Sequence, residues 1–166
     1  MAEVSDGRVR PGAGWLSLNA LVLVFLIDRL HKVAQIHLFG WKGGEAISVA
    51  PFFDYVLVWN TGVSYGLFAG VPVAALIAAM AVAAVGLGFW WFRTESALTR
   101  WGLAFALGGA FGNIVDRLVY GAVADFFSLH AMGVYFYIFN LADVGISVGL
   151  LLLVIDMVRP RRRRAA

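Results

Sequence analysis

The sequence contains no cysteine. That excludes disulfide staples, thiolate nucleophiles and thiolate metal sites together, and the chain cannot itself be lipidated on cysteine. Charge is scarce as well: of 166 residues only 14% are charged, whereas 61% are hydrophobic. With a mean hydropathy of +0.83, the chain is too apolar for an ordinary soluble domain and reads as a membrane protein of one domain, residues 1–166. No H-E-x-x-H occurs, and His31, His37 and His130 are scattered. A zinc peptidase site is therefore not written in the chain, and these histidines read as interfacial polar tips, with neither metal nor cofactor implied.

What the sequence does have is four hydrophobic stretches, at about 15–38, 67–92, 101–119 and 137–158. Each is about as long as a helix needs to cross a hydrocarbon core of roughly 30 Å. The first is charge-free only from Trp15 to Ile27, and a cleaved signal peptide is the alternative, given Arg8 and Arg10 ahead of it. The stretch ends in Asp28, Arg29, His31 and Lys32 and not in small residues, which favours an uncleaved span.

Lysine and arginine fix the expected orientation. Arg8, Arg10, Arg93, Arg100, Arg159 and Arg161 to Arg164 fall on one side of the alternating spans, and the other side offers Lys42 and little else. Both termini are expected in the cytoplasm, with the arginine-rich tail, 159–166, as an anchor to anionic lipid and not a nucleic-acid site. Asp28 then lies thirteen residues past Trp15, and Asp116 fifteen past Trp101, each about 20 Å along a helix that started at the inner face. Asp143 starts an inward-running helix, so these acids and Asp125 gather near the outer surface. Asp156 falls at the inner end beside Arg159, where a solvated ion pair is expected.

Ionisable groups at membrane depth are costly and mark functional sites. Asp28 and Lys32, four apart, form a helical ion pair in this reading. Asp116 is a structural brace, and Arg117 a contact for substrate or for a carboxylate. Asp125 and Asp143 have no such neighbours and are the candidate reacting pair. Two carboxylates in a partly dry site share one proton, so that one draws a proton from water while the other donates. Asn113 and Asn140 would hold a peptide backbone or orient a carboxylate. A pair of acids that carries protons or joins helices is the alternative, and with it a small proton-coupled transporter or assembly factor.

Gly62-Val63-Ser64-Tyr65-Gly66 matches the G-x-S-x-G nucleophile elbow, but among the histidines only His130 follows it, and Lys32 and Lys42 are the only lysines. A serine mechanism is the weaker reading. The segment from about 40 to 66 is long for a turn, and Phe52 to Trp59 is rich in aromatic and β-branched residues, so it reads either as one or two strands of a small extracytoplasmic platform over the acids or as an amphipathic interfacial loop.

The blocks Asp28-x-x-x-Lys32, Asn60-Thr-Gly-Val-Ser-Tyr65, Gly108-Gly-Ala-Phe-Gly-Asn-Ile-Val-Asp-Arg117, Gly121-x-Val-x-Asp-Phe126 and Phe139-Asn-Leu-Ala-Asp143 resemble, in this order, those of the lipoprotein signal peptidase (signal peptidase II) family. The resemblance implies an α-helical inner-membrane aspartic endopeptidase of four transmembrane helices with a small extracytoplasmic β-sheet. Its substrates would be diacylglyceryl-modified prolipoproteins, cut just before the lipid-bearing cysteine, and it would be inhibited by globomycin. Position by position, Asp125 and Asp143 match the catalytic dyad, and Asn60, Asn113, Arg117 and Asn140 match pocket residues. Asp28 and Lys32 match a pair near the substrate groove, and Asp116 a supporting position. Tyr65 departs from the family's usual phenylalanine or tryptophan, and the polar N-terminal extension and arginine-rich tail lie outside the match.

Overall fold

Four long helices and a four-stranded sheet make up the protein in a computed structural model that describes residues 13–62, 70–132 and 134–159. In chain order they are α1 (Ala13–Val33), β1 (Ala46–Ala50), β2 (Phe53–Asn60), α2 (Val73–Arg93), α3 (Ala97–Tyr120), β3 (Val123–Ala131), β4 (Val134–Phe139) and α4 (Leu141–Val158). A wide π-helical turn, Ala34–Leu38, extends α1. Arg8, Arg10, Arg161 to Arg164, and the Val63 to Gly66 part of the serine motif lie outside the described residues.

Among the described residues, α2, α3 and α4 are long and apolar enough to cross a membrane. Their outward faces carry Val82, Val85, Phe89, Leu150, Leu151 and Val154 bare, the pattern of helices whose solvent is lipid. α3 is the central helix and is largely covered, packing on α1, α2 and α4. Its glycines make this possible. A Cβ on Gly102 would meet the Gly149 carbonyl of α4 at 2.8 Å, and one on Gly112 would meet Asp28 Oδ2 of α1 at 2.5 Å. Small residues at such crossings let backbones approach to van der Waals contact, which is how helices associate in lipid.

The expected span limits shift for local reasons. α2 begins at Val73, with Pro72 at its N-cap position, and Leu67 to Ala69, at the expected start of this span, lie outside the described residues. α3 begins a turn before Trp101, where Ser96 caps it by accepting from the Thr99 backbone N–H. α4 begins at Leu141, and Tyr137 to Phe139, expected at the head of the fourth span, belong to β4.

The sheet is antiparallel in the order β1-β2-β3-β4. It draws two strands from the 40–66 segment and two from the connection between α3 and α4, part of which was expected at the head of the fourth span. Gly121, at φ 71°, ends α3 in the left-handed conformation and turns the chain directly into β3. Leu57, Ala124 and Phe126 form the buried centre of the sheet. His31 of α1 docks on it, edge to face with Phe126 at 4.8 Å and bonded to the Tyr55 hydroxyl at 2.7 Å.

At the far end of the bundle, Trp91 Nε1 donates to Ser17 Oγ at 3.2 Å, and Thr99 Oγ1 donates to Asp156 Oδ2 at 2.5 Å. Asp156, expected at this end of the fourth span, is half-buried and tied to α3.

Candidate active site

Each end of the bundle has its own chemistry, and Asp28, Lys32, Asn60, Asn113, Asp116, Arg117, Asp125, Asn140 and Asp143 lie at the sheet end. Asp125 comes from β3. Its Oδ2 accepts from Asn60 Nδ2 at 3.1 Å, and its Oδ1 from Asn140 Nδ2 at 2.6 Å. Register explains the first contact: Asn60 pairs with Val123, and Asp125, two residues on, shares its face of the sheet.

Asp143 is the third residue of α4. Its Oδ1 accepts from Asn113 Nδ2 at 2.9 Å and its Oδ2 from the Asn140 backbone N–H at 3.2 Å, while Asn140 Oδ1 accepts from the Asp143 backbone N–H at 3.0 Å. This is a reciprocal capping box, so the start of the helix and the position of the carboxylate are set by one interaction.

Asn140 is fully buried and holds both acids. The sequence reading left it two roles, holding a peptide backbone or orienting a carboxylate. Its bonds in the structure are of the second kind, and its Nδ2 also reaches Asn113 Oδ1 at 3.1 Å.

Arg117 was expected to contact substrate or a carboxylate. Its guanidinium donates to backbone carbonyls, that of Gly62 at 2.7 Å and that of Asn113 at 3.4 Å, and so fastens the chain beyond β2 to α3. Asp28 and Lys32 form the expected ion pair at 3.0 Å, but it is completely buried, and Asp28 Oδ1 also accepts from the Ala142 backbone N–H of α4 at 3.0 Å. Asp116 binds Lys32 Nζ at 2.7 Å, the guanidinium of Arg29, and the Ala124 N–H of β3 at 3.2 Å. Arg29 was missed in the sequence, where it reads only as the neighbour of Asp28.

Asn60, Asn113, Arg117, Asp125 and Asp143 line one cavity of about 690 Å³. Its other walls are mostly apolar: Ala75, Leu76, Ala79 and Met80 of α2, Ile146 of α4, and Tyr137 and Ile138 of β4. No polar pattern in α2 advertised this role, because a wall for an apolar ligand needs only small and flexible side chains. Burial pushes the Asp125 carboxyl up to about 7, with the nearby Asp143 charge adding to the shift and the Asn60 and Asn140 donors opposing it. An acid with that affinity still holds its proton in part of its molecules near neutral pH, as proton-transfer chemistry requires. The three histidines are apart from this cavity: His31 bonds Tyr55, His37 bonds Tyr120 at 3.0 Å, and His130 faces Asp54 at 3.1 Å.

Apolar helices, a small sheet across one end, and a buried and a half-buried carboxylate opening on a shared cavity define the class: a helical membrane protein with an acid pair suited to hydrolysis. The signal peptidase (SPase) II family profile matches residues 20–159. The lipoprotein signal peptidase of Methylobacterium radiotolerans is 42% identical over 89% of this chain and 88% of its own length. That of Rhodopseudomonas palustris is 42% identical over 85% and 90%. Two solved structures described as bacterial membrane enzymes superpose with TM-scores of 0.77 and 0.75 at 23% and 24% identity, covering 92% and 89% of this chain and 95% of each of theirs. At that identity they speak for the fold alone. The chain belongs to the signal peptidase II family, and it is a protease.

Proposed function

We propose that this protein removes the signal peptide from diacylglyceryl-modified prolipoproteins, cutting before the lipid-bearing cysteine, with Asp125 and Asp143 as the catalytic pair. The observation that carries the reading is their placement: both carboxylates open on one apolar-walled cavity while a single buried residue, Asn140, donates to each, from its side-chain amide to Asp125 and from its backbone N–H to Asp143.

The chemistry follows from the pair. One carboxylate takes a proton from water, whose oxygen attacks the scissile carbonyl, and the protonated partner gives its proton to the carbonyl oxygen. The tetrahedral intermediate then collapses with release of the amine. Asn60, Asn113 and Arg117 line the same wall, where an extended peptide backbone would lie. The gap between α2 and α4 would admit the signal helix, with the lipid chains of the substrate remaining in the bilayer.

In this reading α1 is a fourth span in the inner membrane. Arg93, Arg100 and Arg159 mark the cytoplasmic end of the bundle, with both termini, and the sheet and cavity lie at the extracytoplasmic face. Globomycin is expected to inhibit by filling the cavity. The test is cleavage of a diacylglyceryl-modified propeptide by the purified protein in detergent, with the unmodified propeptide as control. Release of the signal peptide from the lipidated substrate supports the proposal, and a proton-coupled transporter or assembly factor would leave both intact.

A further inference from the structure

Behind the two carboxylates lies a charge cluster with no exposure to the cavity. Lys32 Nζ is fully buried, 3.0 Å from Asp28 Oδ2 and 2.7 Å from Asp116 Oδ2, and donates to Asn113 Oδ1 at 3.3 Å. An ammonium has three N–H groups and no acceptor, so each is matched to one oxygen. Asn113 Oδ1 also accepts from Asn140 Nδ2 at 3.1 Å. With Lys32 able only to donate, the Asn113 amide cannot be turned over, and its Nδ2 is obliged to face Asp143 Oδ1 at 2.9 Å.

We propose that Lys32 is a positioning residue: acting through Asn113, it holds Asp143 as the ionised member of the carboxylate pair and leaves the shared proton on Asp125. The proposal rests on reading these two acids as the reacting pair.

The two environments differ in the required direction. Asp143 is the third residue of α4, at a helix end whose free N–H groups favour an anion, and it accepts a backbone N–H there. Asp28 steadies the same turn from α1 through the Ala142 N–H. Asp125 sits in a strand and, among the described residues, accepts from the neutral carboxamides of Asn60 and Asn140.

Charge balance agrees. The ionisable groups around the pair are Asp28, Arg29 and Lys32 from α1 and Asp116 and Arg117 from α3, with Tyr137 of β4 on the cavity wall. The wall from α2 carries no charge. Three cations then face two carboxylates outside the pair, so one negative charge on the pair makes the buried set neutral, and a second would stand uncompensated.

The roles in the reaction follow. Asp143 accepts the proton of the attacking water as the new C–O bond forms, and Asp125 delivers its proton to the carbonyl oxygen. On collapse the C–N bond breaks and Asp143 passes its proton to the departing amine, while Asp125 recovers one from the intermediate's hydroxyl. Both acids return to their starting states.

The experiment measures kcat and KM against pH for cleavage of the lipidated propeptide by the full-length protein and by Lys32→Met, Asn113→Ala and Arg29→Gln. In Lys32→Met and Asn113→Ala, kcat is expected to fall about tenfold or more, with the acid limb of the profile displaced upward by about one pH unit; KM is little changed in Lys32→Met, whose side chain does not line the cavity. Arg29→Gln removes the other cation on Asp116 without touching Asn113 and is expected to keep the wild-type acid limb. An unmoved acid limb in Lys32→Met and Asn113→Ala, or an equal displacement in Arg29→Gln, overturns the proposal. If Lys32→Met does not fold, Asn113→Ala decides alone, since it leaves Lys32 both of its carboxylates. Asp125→Asn and Asp143→Asn run in parallel keep the two readings apart: if they are inactive while the limb is unmoved, the relay fails and the pair stands.

Discussion

Asn140 Nδ2 lies 2.6 Å from Asp125 Oδ1, and the same residue caps the helix that carries Asp143. One buried carboxamide therefore fixes the spacing of two acids that come from a strand and a helix. The sheet cannot shift against α4 without breaking a bond to one of them.

Asn140→Ala removes the cap and the bridge together. Loss of the cap is expected to cost about 1 kcal/mol of stability, and misplacement of the acids about 10²-fold in kcat. Thermal unfolding in detergent and the cleavage assay measure the two separately. Activity near wild type would show that the acids do not depend on this bridge.

The raised affinity of Asp125 for its proton gives a pH dependence. Below about 7 this carboxyl keeps its proton and the pair carries one charge; as pH rises through about 7 both acids ionise and kcat is expected to fall. Stability has the same sign. The folded value lies above the ordinary 3.8, so ionising Asp125 costs more in the folded state, and unfolding temperature should decline as pH rises between 3.8 and about 7. Scans of activity and of unfolding against pH check both.

A methyl group at Gly112 would strike Asp28 Oδ2 at 2.5 Å, whereas one at Gly88 of α2 meets nothing within 4 Å. Gly112→Ala is expected to destabilise the protein by about 1–3 kcal/mol and to lower activity by displacing Asp28 from the first turn of α4. Gly88→Ala should match wild type in both unfolding temperature and cleavage rate.

Ser64 belongs to the G-x-S-x-G match, and the acid-pair mechanism gives it no role. Ser64→Ala is expected to process lipidated propeptide at the wild-type rate, and a dead enzyme would restore the serine reading.

Much of the site was legible because lipid makes polar residues conspicuous. Asp28, Lys32, Asn113, Asp116, Asp125 and Asp143 stood out for their cost, and counting residues along each span brought them to one end, where the structure has them. The second half of the sheet was not legible. Val123 to Ala131 follows a helix through two residues, and Val134 to Phe139 is an apolar run that continues into α4, so hydropathy joined it to the span. The punctuation was present in Asn140 and Asp143, three apart as a capping box requires, but both were read for chemistry alone. The choice between the two roles read for Asn140 and the part of Arg29 depend on tertiary contacts, which no local pattern encodes.

The most direct test of the account is cleavage of diacylglyceryl-modified propeptide by wild type, Asp125→Asn and Asp143→Asn, each purified in detergent and shown to unfold cooperatively. Wild type is expected to release the signal peptide and both variants to release none. Cleavage at the wild-type rate by both variants would contradict the assignment of these two acids as the catalytic pair.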